Sequence, residues 1–161
     1  MTSWPRPTYH VRVDIDAPSD FVFRWCTDYR RDDGKRAGEA FVRKVQRRKA
    51  NTIVLQDLWT TGNGWLLNQN RTTLFPPKNW HVDSFGTLRI LSIDYSLIEL
   101  RGRRTRLELT IRRRPTEMYP KQPSRREYEG NLTTMWRRFA RSLERDYRLR
   151  GKSRRKSQPN S

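Results

Sequence analysis

The chain has 161 residues and a mass of 19.5 kDa, which is the size of one ordinary domain. It carries 35 Lys and Arg residues against 17 Asp and Glu residues, for a formal net charge of +18. One cysteine excludes an internal disulfide, no segment reaches the roughly 18 apolar residues of a membrane-spanning helix, and the first eight residues lack the apolar core of a signal peptide. Together these features predict a soluble, cytoplasmic protein.

High net charge with a hydrophobic content of 34% is also typical of disordered chains. Regular strand patterns over most of the sequence argue against disorder here. We therefore expect a flexible N-terminus at residues 1–8, one folded domain at residues 9–150, and a disordered basic tail at residues 151–161.

The folded part begins with a strand, because apolar side chains occupy every second position of residues 9–15. Pro18 and the acids beside it are typical of a helix start. Apolar residues then follow at helical spacing and predict a short helix with one buried stripe: Val22, Trp25, Cys26 and Tyr29. The polar segment after this helix is predicted to be a loop that contains a second short helix.

Six further strands are predicted from alternation and turn signals. Five of them lie at residues 40–48, 52–59, 65–75, 80–85 and 88–100. Gly62-Asn63-Gly64 indicates a hairpin turn, since both central positions of such a turn favour residues that tolerate a positive φ. The last strand lies between Gly102 and Pro115, and its outward positions are mostly basic.

A long amphipathic helix closes the domain. Ser124 followed by Glu127 forms a capping box at its start, and Gly151 is expected to end it. About 25 residues at 1.5 Å each give a length of roughly 38 Å. Its apolar stripe consists of Tyr128, Leu132, Met135, Trp136, Phe139, Leu143 and Tyr147.

This order of elements resembles the helix-grip superfamily, which includes START domains, polyketide cyclase/dehydratase-like proteins and the birch-pollen-allergen family. Residues 13–25, with Asp28 after them, are similar to that superfamily's first strand and helix, and residues 102–107 are similar to its last turn. The resemblance covers about residues 9–150. It implies an α+β helix-grip fold in which a seven-stranded curved antiparallel sheet wraps a long C-terminal helix, and it specifies fold far better than function.

The resemblance also implies a cavity between sheet and helix for an apolar ligand. The candidate lining residues are Asp57, Trp59, Leu67, Phe75, Trp80, Met135 and Phe139. The alternative for each apolar residue is plain core packing. Asp57 shares a strand face with Ile53 and Leu55, so it either points inward to a polar ligand group or is turned to solvent by a bulge.

No catalytic site is predicted. His10 and His81 stand at no motif spacing from a cysteine or a carboxylate, and Cys26 lies on the buried stripe of the first helix. The sequence contains no metal-ligand spacing and no phosphate-binding glycine loop, so no metal and no cofactor is expected. A cyclase-like enzyme is a third alternative, which the missing motif disfavours.

Clusters of arginine form the second candidate site, because Arg suits bidentate contacts to phosphate. The cluster residues are Arg30, Arg31, Arg103, Arg104, Arg112, Arg113, Arg114, Arg137, Arg138, Arg141 and Arg145. Either they form an ordinary solvated surface or they bind a polyanion through its backbone. The two main hypotheses are therefore a domain that holds a small apolar molecule or lipid, and an RNA- or ribosome-associated protein with no small ligand. An anionic membrane surface would attract the same charge.

Overall fold

The computed structural model describes residues 8–156 of the chain, with side chains through residue 150. The helices and strands follow one another as β1 (Thr8–Ile15), α1 (Ser19–Thr27), α2 (Asp33–Ala37), β2 (Phe41–Lys49), β3 (Thr52–Thr61), β4 (Gly64–Phe75), β5 (Asn79–Gly86), β6 (Ile90–Leu100), β7 (Arg104–Arg114) and α3 (Arg125–Lys156). The predicted order of elements is confirmed. Within residues 8–156, no helix combines the length and the apolar character needed to cross a membrane.

The seven strands form one antiparallel sheet in the order β1-β7-β6-β5-β4-β3-β2. From β2 to β7, strands that are consecutive along the chain are neighbours in the sheet. β1 pairs with β7 and forms the edge opposite β2. The sheet is curved, and α3 packs across its inner face, contacting β1 and the short helix α2. The sheet and α3 together enclose the core, as predicted.

Most of the fully buried side chains belong to β1, β7 and α3. Every second residue of both strands is buried, which follows from the two-residue period of a strand. On α3, Leu143 is 1% exposed and Ala140 is 5% exposed. The rings of Tyr9 and Tyr128 lie 4.5 Å apart between their centroids. The apolar stripe predicted for α3 therefore faces the sheet.

Polar contacts hold α3 at its start and along its length. The Glu127 backbone N–H donates to Ser124 Oγ at 3.2 Å, which is the contact expected of a capping box. The Asp16 backbone N–H donates to Glu144 Oε1 at 2.9 Å, and Trp25 Nε1 donates to Asp146 Oδ2 at 2.9 Å. These bonds join α3 to the segment that connects β1 to α1 and to α1 itself.

Several predicted boundaries differ from the structure, and those of strands β2 to β6 differ by one or two residues. Thr8 is the first residue of β1, α1 ends at Thr27 before Tyr29, and α3 continues past Gly151 to Lys156. A single glycine costs a helix only about 1 kcal/mol. Gly151 lies between Arg150 and Lys152, two residue types that favour helix, so the helix continues through it. The remaining residues of the predicted flexible N-terminus and basic tail, 1–7 and 157–161, lie outside the described residues.

Candidate functional site

A cavity of about 180 Å³ lies between the inner face of the sheet and α3. Aromatic rings form much of its wall. Trp80 and Tyr95 stack with 4.8 Å between centroids and 9° between planes, and Trp136 meets Tyr95 edge-on at 5.8 Å. Phe139 continues the wall, 5.3 Å from Trp136. Most of the cavity therefore offers rigid apolar surface.

Five predicted lining residues line this cavity: Asp57, Trp59, Trp80, Met135 and Phe139. The prediction was wrong for Leu67 and Phe75, which are 47% and 55% exposed. Both are odd-numbered residues of β4, and the even-numbered residues of that strand face inward. The error came from assigning the apolar residues of β4 to the inner face.

The inner face of β3, β4 and β5 carries a polar stripe that the sequence analysis did not identify. Asp57 pairs with Asn68 across the β3–β4 ladder, and Asn70 pairs with Ser84 across the β4–β5 ladder. Thr72 continues the same face of β4, and all five residues line the cavity. Asn68, Asn70 and Thr72 occupy every second position of β4, and this spacing is the sequence pattern that indicates a polar face on the strand.

Arg43 on β2 forms a buried ion-pair cluster with two carboxylates beside this stripe. Its Nε and Nη2 lie 2.8 Å from Asp57 Oδ1 and Oδ2, and its Nη1 lies 2.6 Å from Asp33 Oδ2. Asn70 Nδ2 donates to Asp57 Oδ2 at 2.8 Å. Asp57 therefore points inward, and its charge is compensated within the protein.

The pKa values of this cluster follow from burial and mutual attraction. Burial by itself lowers the pKa of Arg43, but the hydrogen bond to Asp57 and the attraction of both carboxylates outweigh it and raise that pKa above its ordinary value. For Asp33, burial is the largest influence, and it raises the pKa of the carboxyl despite the nearby Arg43 guanidinium.

Tyr29 and Thr72 both line the cavity, and their hydroxyl oxygens are buried beside each other. Thr72 is 0% exposed, and burial raises the pKa of Tyr29, so the phenol is neutral. A hydrogen bond to Thr72 opposes this effect of burial on the pKa of Tyr29 without outweighing it, so the two hydroxyls are partners of each other. Tyr29 reaches this wall because it follows α1 with a φ of 47°.

The histidines and the cysteine do not combine into a catalytic group. Burial raises the pKa of Cys26 on the cavity wall, which keeps its thiol protonated at neutral pH. His10 is exposed on β1. His81 faces outward from β5. The prediction that it stands apart from carboxylates was wrong, because its ring nitrogens lie 2.7 Å from Asp94 Oδ1 and 2.9 Å from Asp83 Oδ1. Within residues 8–150, no three His, Cys, Asp or Glu side chains are grouped to hold a metal ion.

The predicted arginine clusters divide into paired, buried and exposed residues. The prediction that Arg113 binds a polyanion was wrong, because Arg113 is 8% exposed on the inner face of β7. Its Nη1 donates there to Gln122 Oε1 at 2.8 Å. Ion pairs within the protein involve Arg30 with Asp28 and Asp146, Arg104 with Asp14, Arg112 with Asp94, and Arg138 with Glu39. Arg114 is half-buried. The exposed predicted residues are Arg31, Arg103, Arg104, Arg137, Arg138, Arg141 and Arg145.

On the outer face of α3, Arg137, Arg141, Arg145 and Arg148 form a row, which we call the α3 arginine row. Steps of three or four residues place them on one side of the helix, and all four are exposed. Among the described residues, the one carboxylate within 4.0 Å of this row is Asp146, which Arg145 approaches at that limit.

Comparisons with known proteins show the fold of this chain. A START superfamily protein from Mycobacterium smegmatis superimposes with a TM-score of 0.66 at 11% identity, over 88% of this chain and 97% of that one. The Zhui aromatase/cyclase from Streptomyces sp. R1128 gives 0.60 at 14% identity, over 95% and 96%. Ginseng major latex-like protein 151 from Panax ginseng gives 0.63 at 8% identity, over 83% and 95%.

This chain has the START-like, helix-grip fold. No protein-family model matches the sequence, and no curated protein matches it. The likeness to solved structures is therefore one of three-dimensional arrangement, and the site must be interpreted from its own residues.

Proposed function

We propose that this START-like protein is a non-catalytic binding protein that encloses a small, largely apolar molecule between its sheet and α3. The observation that carries the proposal is the aromatic cavity of about 180 Å³, which retains buried polar groups on one wall. An apolar pocket with a few converging polar groups is the usual form of a small-molecule site. Neighbours of the same fold that include a START superfamily protein and an aromatase/cyclase support a ligand cavity between sheet and helix.

The size of the cavity favours a small molecule over a lipid. Pockets for drug-sized ligands occupy roughly 300–1,000 Å³, and an engineered apolar cavity of about 150 Å³ binds benzene. At about 180 Å³, this cavity falls between those cases and close to the second.

The chemistry of the cavity wall favours binding over catalysis. General acid–base work needs a titratable group with a pKa near the working pH. Cys26 is held protonated, and Tyr29 is held neutral. Burial raises the pKa of the Asp33 carboxyl, which also lines the cavity, but this carboxyl and that of Asp57 are already bound to the Arg43 guanidinium within the protein.

Toluene is a suitable probe of the cavity, and its binding can be measured by calorimetry. Val82 lines the cavity, so Val82→Phe should fill it and abolish toluene binding. Gln69→Phe adds a ring at an exposed position on β4 and is the matched control. No binding to the wild-type protein, or equal binding to both variants, would contradict the proposal. Native mass spectrometry of protein purified from cells would then show the mass of a natural occupant.

A second candidate function, association with RNA or the ribosome, is favoured by the α3 arginine row and by the net charge of +18. The sequence contains no recognised motif for reading bases, so binding would be to the phosphate backbone and would weaken with salt. Cavity binding and RNA association use different surfaces, and one can fail without the other.

Sedimentation of lysate at low and high salt tests this second function. We expect the protein to travel with ribosomes or RNA at low salt and to dissociate at high salt. Arg137→Glu with Arg141→Glu should weaken binding to purified RNA and reduce the log–log salt slope by roughly 1.5. Arg47→Glu with Arg71→Glu makes the same charge change at exposed positions on the sheet. If the protein is absent from RNA fractions at low salt, or if both double variants lose RNA affinity equally, the α3 arginine row has no specific role in RNA binding.

A further inference from the structure

We infer that the molecule held in the cavity is an aromatic carboxylate with a single ring, and that its carboxylate binds the Arg89 guanidinium on the cavity wall. This inference rests on the proposed function and adds the chemical class of the ligand. Three features of the described residues carry it: a guanidinium on the wall without a carboxylate partner, a second guanidinium beside it, and an aromatic wall that encloses a small volume.

Arg89 is a basic side chain of the cavity wall without a counter-charge in the described protein. The basic residues among those that line the cavity are Arg43 and Arg89. Arg89 stands directly before β6, two residues before the buried Leu91 and therefore in the same inward phase. It is half-buried and has no carboxylate within 4.0 Å among the described residues. A partly desolvated guanidinium attracts an anion more strongly than one in bulk water.

A second guanidinium, that of Arg113, adds positive charge at the same place. Arg113 pairs with Leu91 across the β6–β7 ladder, so Arg89 is its diagonal neighbour on the inner face, within reach for long side chains. Arg113 is 8% exposed, and it too lacks a carboxylate within 4.0 Å in the described part of the chain, where the neutral Gln122 amide oxygen accepts from it. Burial raises the pKa of Tyr128 on the cavity wall, and the charges of Arg89 and Arg113 oppose that effect. Both charges therefore act on the same part of the cavity.

Arg43, the other basic residue of the wall, is not available to an anion. It lies on β2, with three strands between β2 and β6. Its guanidinium is shared by the carboxyl groups of Asp33 and Asp57. An incoming carboxylate would be desolvated there beside two carboxyl groups and would find no unpaired positive charge. The charges of the wall therefore orient the ligand, with its carboxylate at Arg89.

The rest of the wall suits one aromatic ring. Trp80, Tyr95, Trp136 and Phe139 present faces and edges within one continuous cluster, and aromatic pairs favour offset and edge-on contacts. A volume of about 180 Å³ slightly exceeds the roughly 150 Å³ that accepts benzene. The additional volume matches a small substituent and not a second fused ring.

Three probes with the same methyl-substituted ring provide the test: toluene, p-toluamide and p-toluate, with binding measured by calorimetry at neutral pH. Toluene tests the cavity by itself. p-Toluamide has nearly the shape of p-toluate without its charge, so the difference between these two probes reports the ion pair. A charge-assisted hydrogen bond predicts that p-toluate binds the wild-type protein at least about ten-fold more tightly than p-toluamide.

Substitutions at Arg89 assign the preference to this residue. Arg89→Gln removes the positive charge and should abolish the preference for p-toluate while toluene still binds, which also shows that the variant has folded. Arg89→Lys keeps the charge without the planar fork and should retain part of the preference. Arg71→Gln makes the same change at an exposed position on β4 and is the matched control, which should bind all three probes as the wild-type protein does.

The possible outcomes separate this inference from the proposed function. Equal binding of p-toluate and p-toluamide to a wild-type protein that binds toluene would overturn the ligand class and leave the cavity function standing. A preference that persists in Arg89→Gln, or that Arg71→Gln weakens as much, would overturn the assignment to Arg89. If Arg89→Gln binds no probe, Arg89→Lys decides, because toluene binding without a preference for p-toluate in that variant overturns the inference. Binding of none of the probes to the wild-type protein would remove the cavity function together with the inference.

Discussion

Arg43 and Asp57 face each other across the β2–β3 ladder and form a bidentate ion pair inside the fold, with both N–O distances at 2.8 Å. Their side chains are 15% and 6% exposed. Such a pair adds little net stability over apolar residues of the same shape, yet removing one partner leaves a buried charge. The pair therefore orders the polar end of the cavity more than it stabilises the domain.

Asp57→Ala should lower the free energy of unfolding by about 1–3 kcal/mol, since Arg43 and Asn70 lose the acceptor of their hydrogen bonds while Asp33 still compensates the charge of Arg43. Urea denaturation measures this change. Asp20→Ala removes a carboxylate from the exposed Arg24–Asp20 pair and should cost less than about 1 kcal/mol. Equal effects of the two substitutions would show that Arg43 and Asp57 are not buried as described.

Gly34→Ala should destabilise the protein, because a Cβ there would lie 2.1 Å from the Phe41 backbone oxygen. Gly130 gives a matched control within α3, where a Cβ meets no atom within 4 Å. Gly130→Ala should raise the free energy of unfolding by about 0.5–1 kcal/mol through the higher helix propensity of alanine. Thermal denaturation should give a lower melting temperature for Gly34→Ala and a higher one for Gly130→Ala. Shifts of both melting temperatures in the same direction would contradict the packing described around these two glycines.

Leu143→Ala tests whether α3 packs in the sheet. Leu143 is 1% exposed, so the substitution should cost about 2–5 kcal/mol in the free energy of unfolding. Leu149, on the same helix, is 56% exposed, and Leu149→Ala should change stability by no more than about 0.5 kcal/mol. A small effect at Leu143 in chemical denaturation would mean that α3 is not docked on the sheet.

His81 should make stability fall as the pH rises. Burial lowers its pKa, but the hydrogen bonds to Asp94 and Asp83 outweigh burial and raise the pKa above its ordinary value. The protonated ring therefore stabilises the folded state fully below the unfolded pKa of about 6.5, and this contribution is lost as pH rises through the higher folded pKa. Arg112, which also binds Asp94, limits the size of the effect.

The measurement is the free energy of unfolding from pH 5 to pH 9 for the wild-type protein and for His81→Gln. The difference between them should shrink with rising pH. His10→Gln makes the same substitution at an exposed position on β1 and is the control. A difference that grows with pH would show that burial dominates at His81.

The sequence predicted correctly which face is buried wherever one face of a strand or helix is apolar and the other is polar. The alternation in β1 and the helical stripe of α3 were assigned to the correct faces, because burial of those faces is the main free-energy gain in folding. The same rule assigned β4 incorrectly. Its inner residues Asn68, Asn70 and Thr72 are polar because they line a cavity, while Leu67 lies on the outer face.

Contacts across the ladders were outside the reach of sequence patterns. His81 lies opposite Asp94 only in the observed β5–β6 register, and Arg43 lies opposite Asp57 only in the observed β2–β3 register. A shift of one residue would turn these side chains to the other face of the sheet. Arg113 likewise faces inward because it shares the phase of Leu109 and Ile111, although its neighbours Arg112 and Arg114 face outward.

Local periodicity alone thus determined the order of the elements, the single long closing helix and the apolar stripe by which it docks, since each depends on residues close together in the chain. Tertiary structure alone decided the polar wall of the cavity, the pairing of Arg43 with Asp57, and which arginines remain free of carboxylates. Those properties depend on strand register and on sheet curvature, which bring residues distant in sequence within a few ångströms.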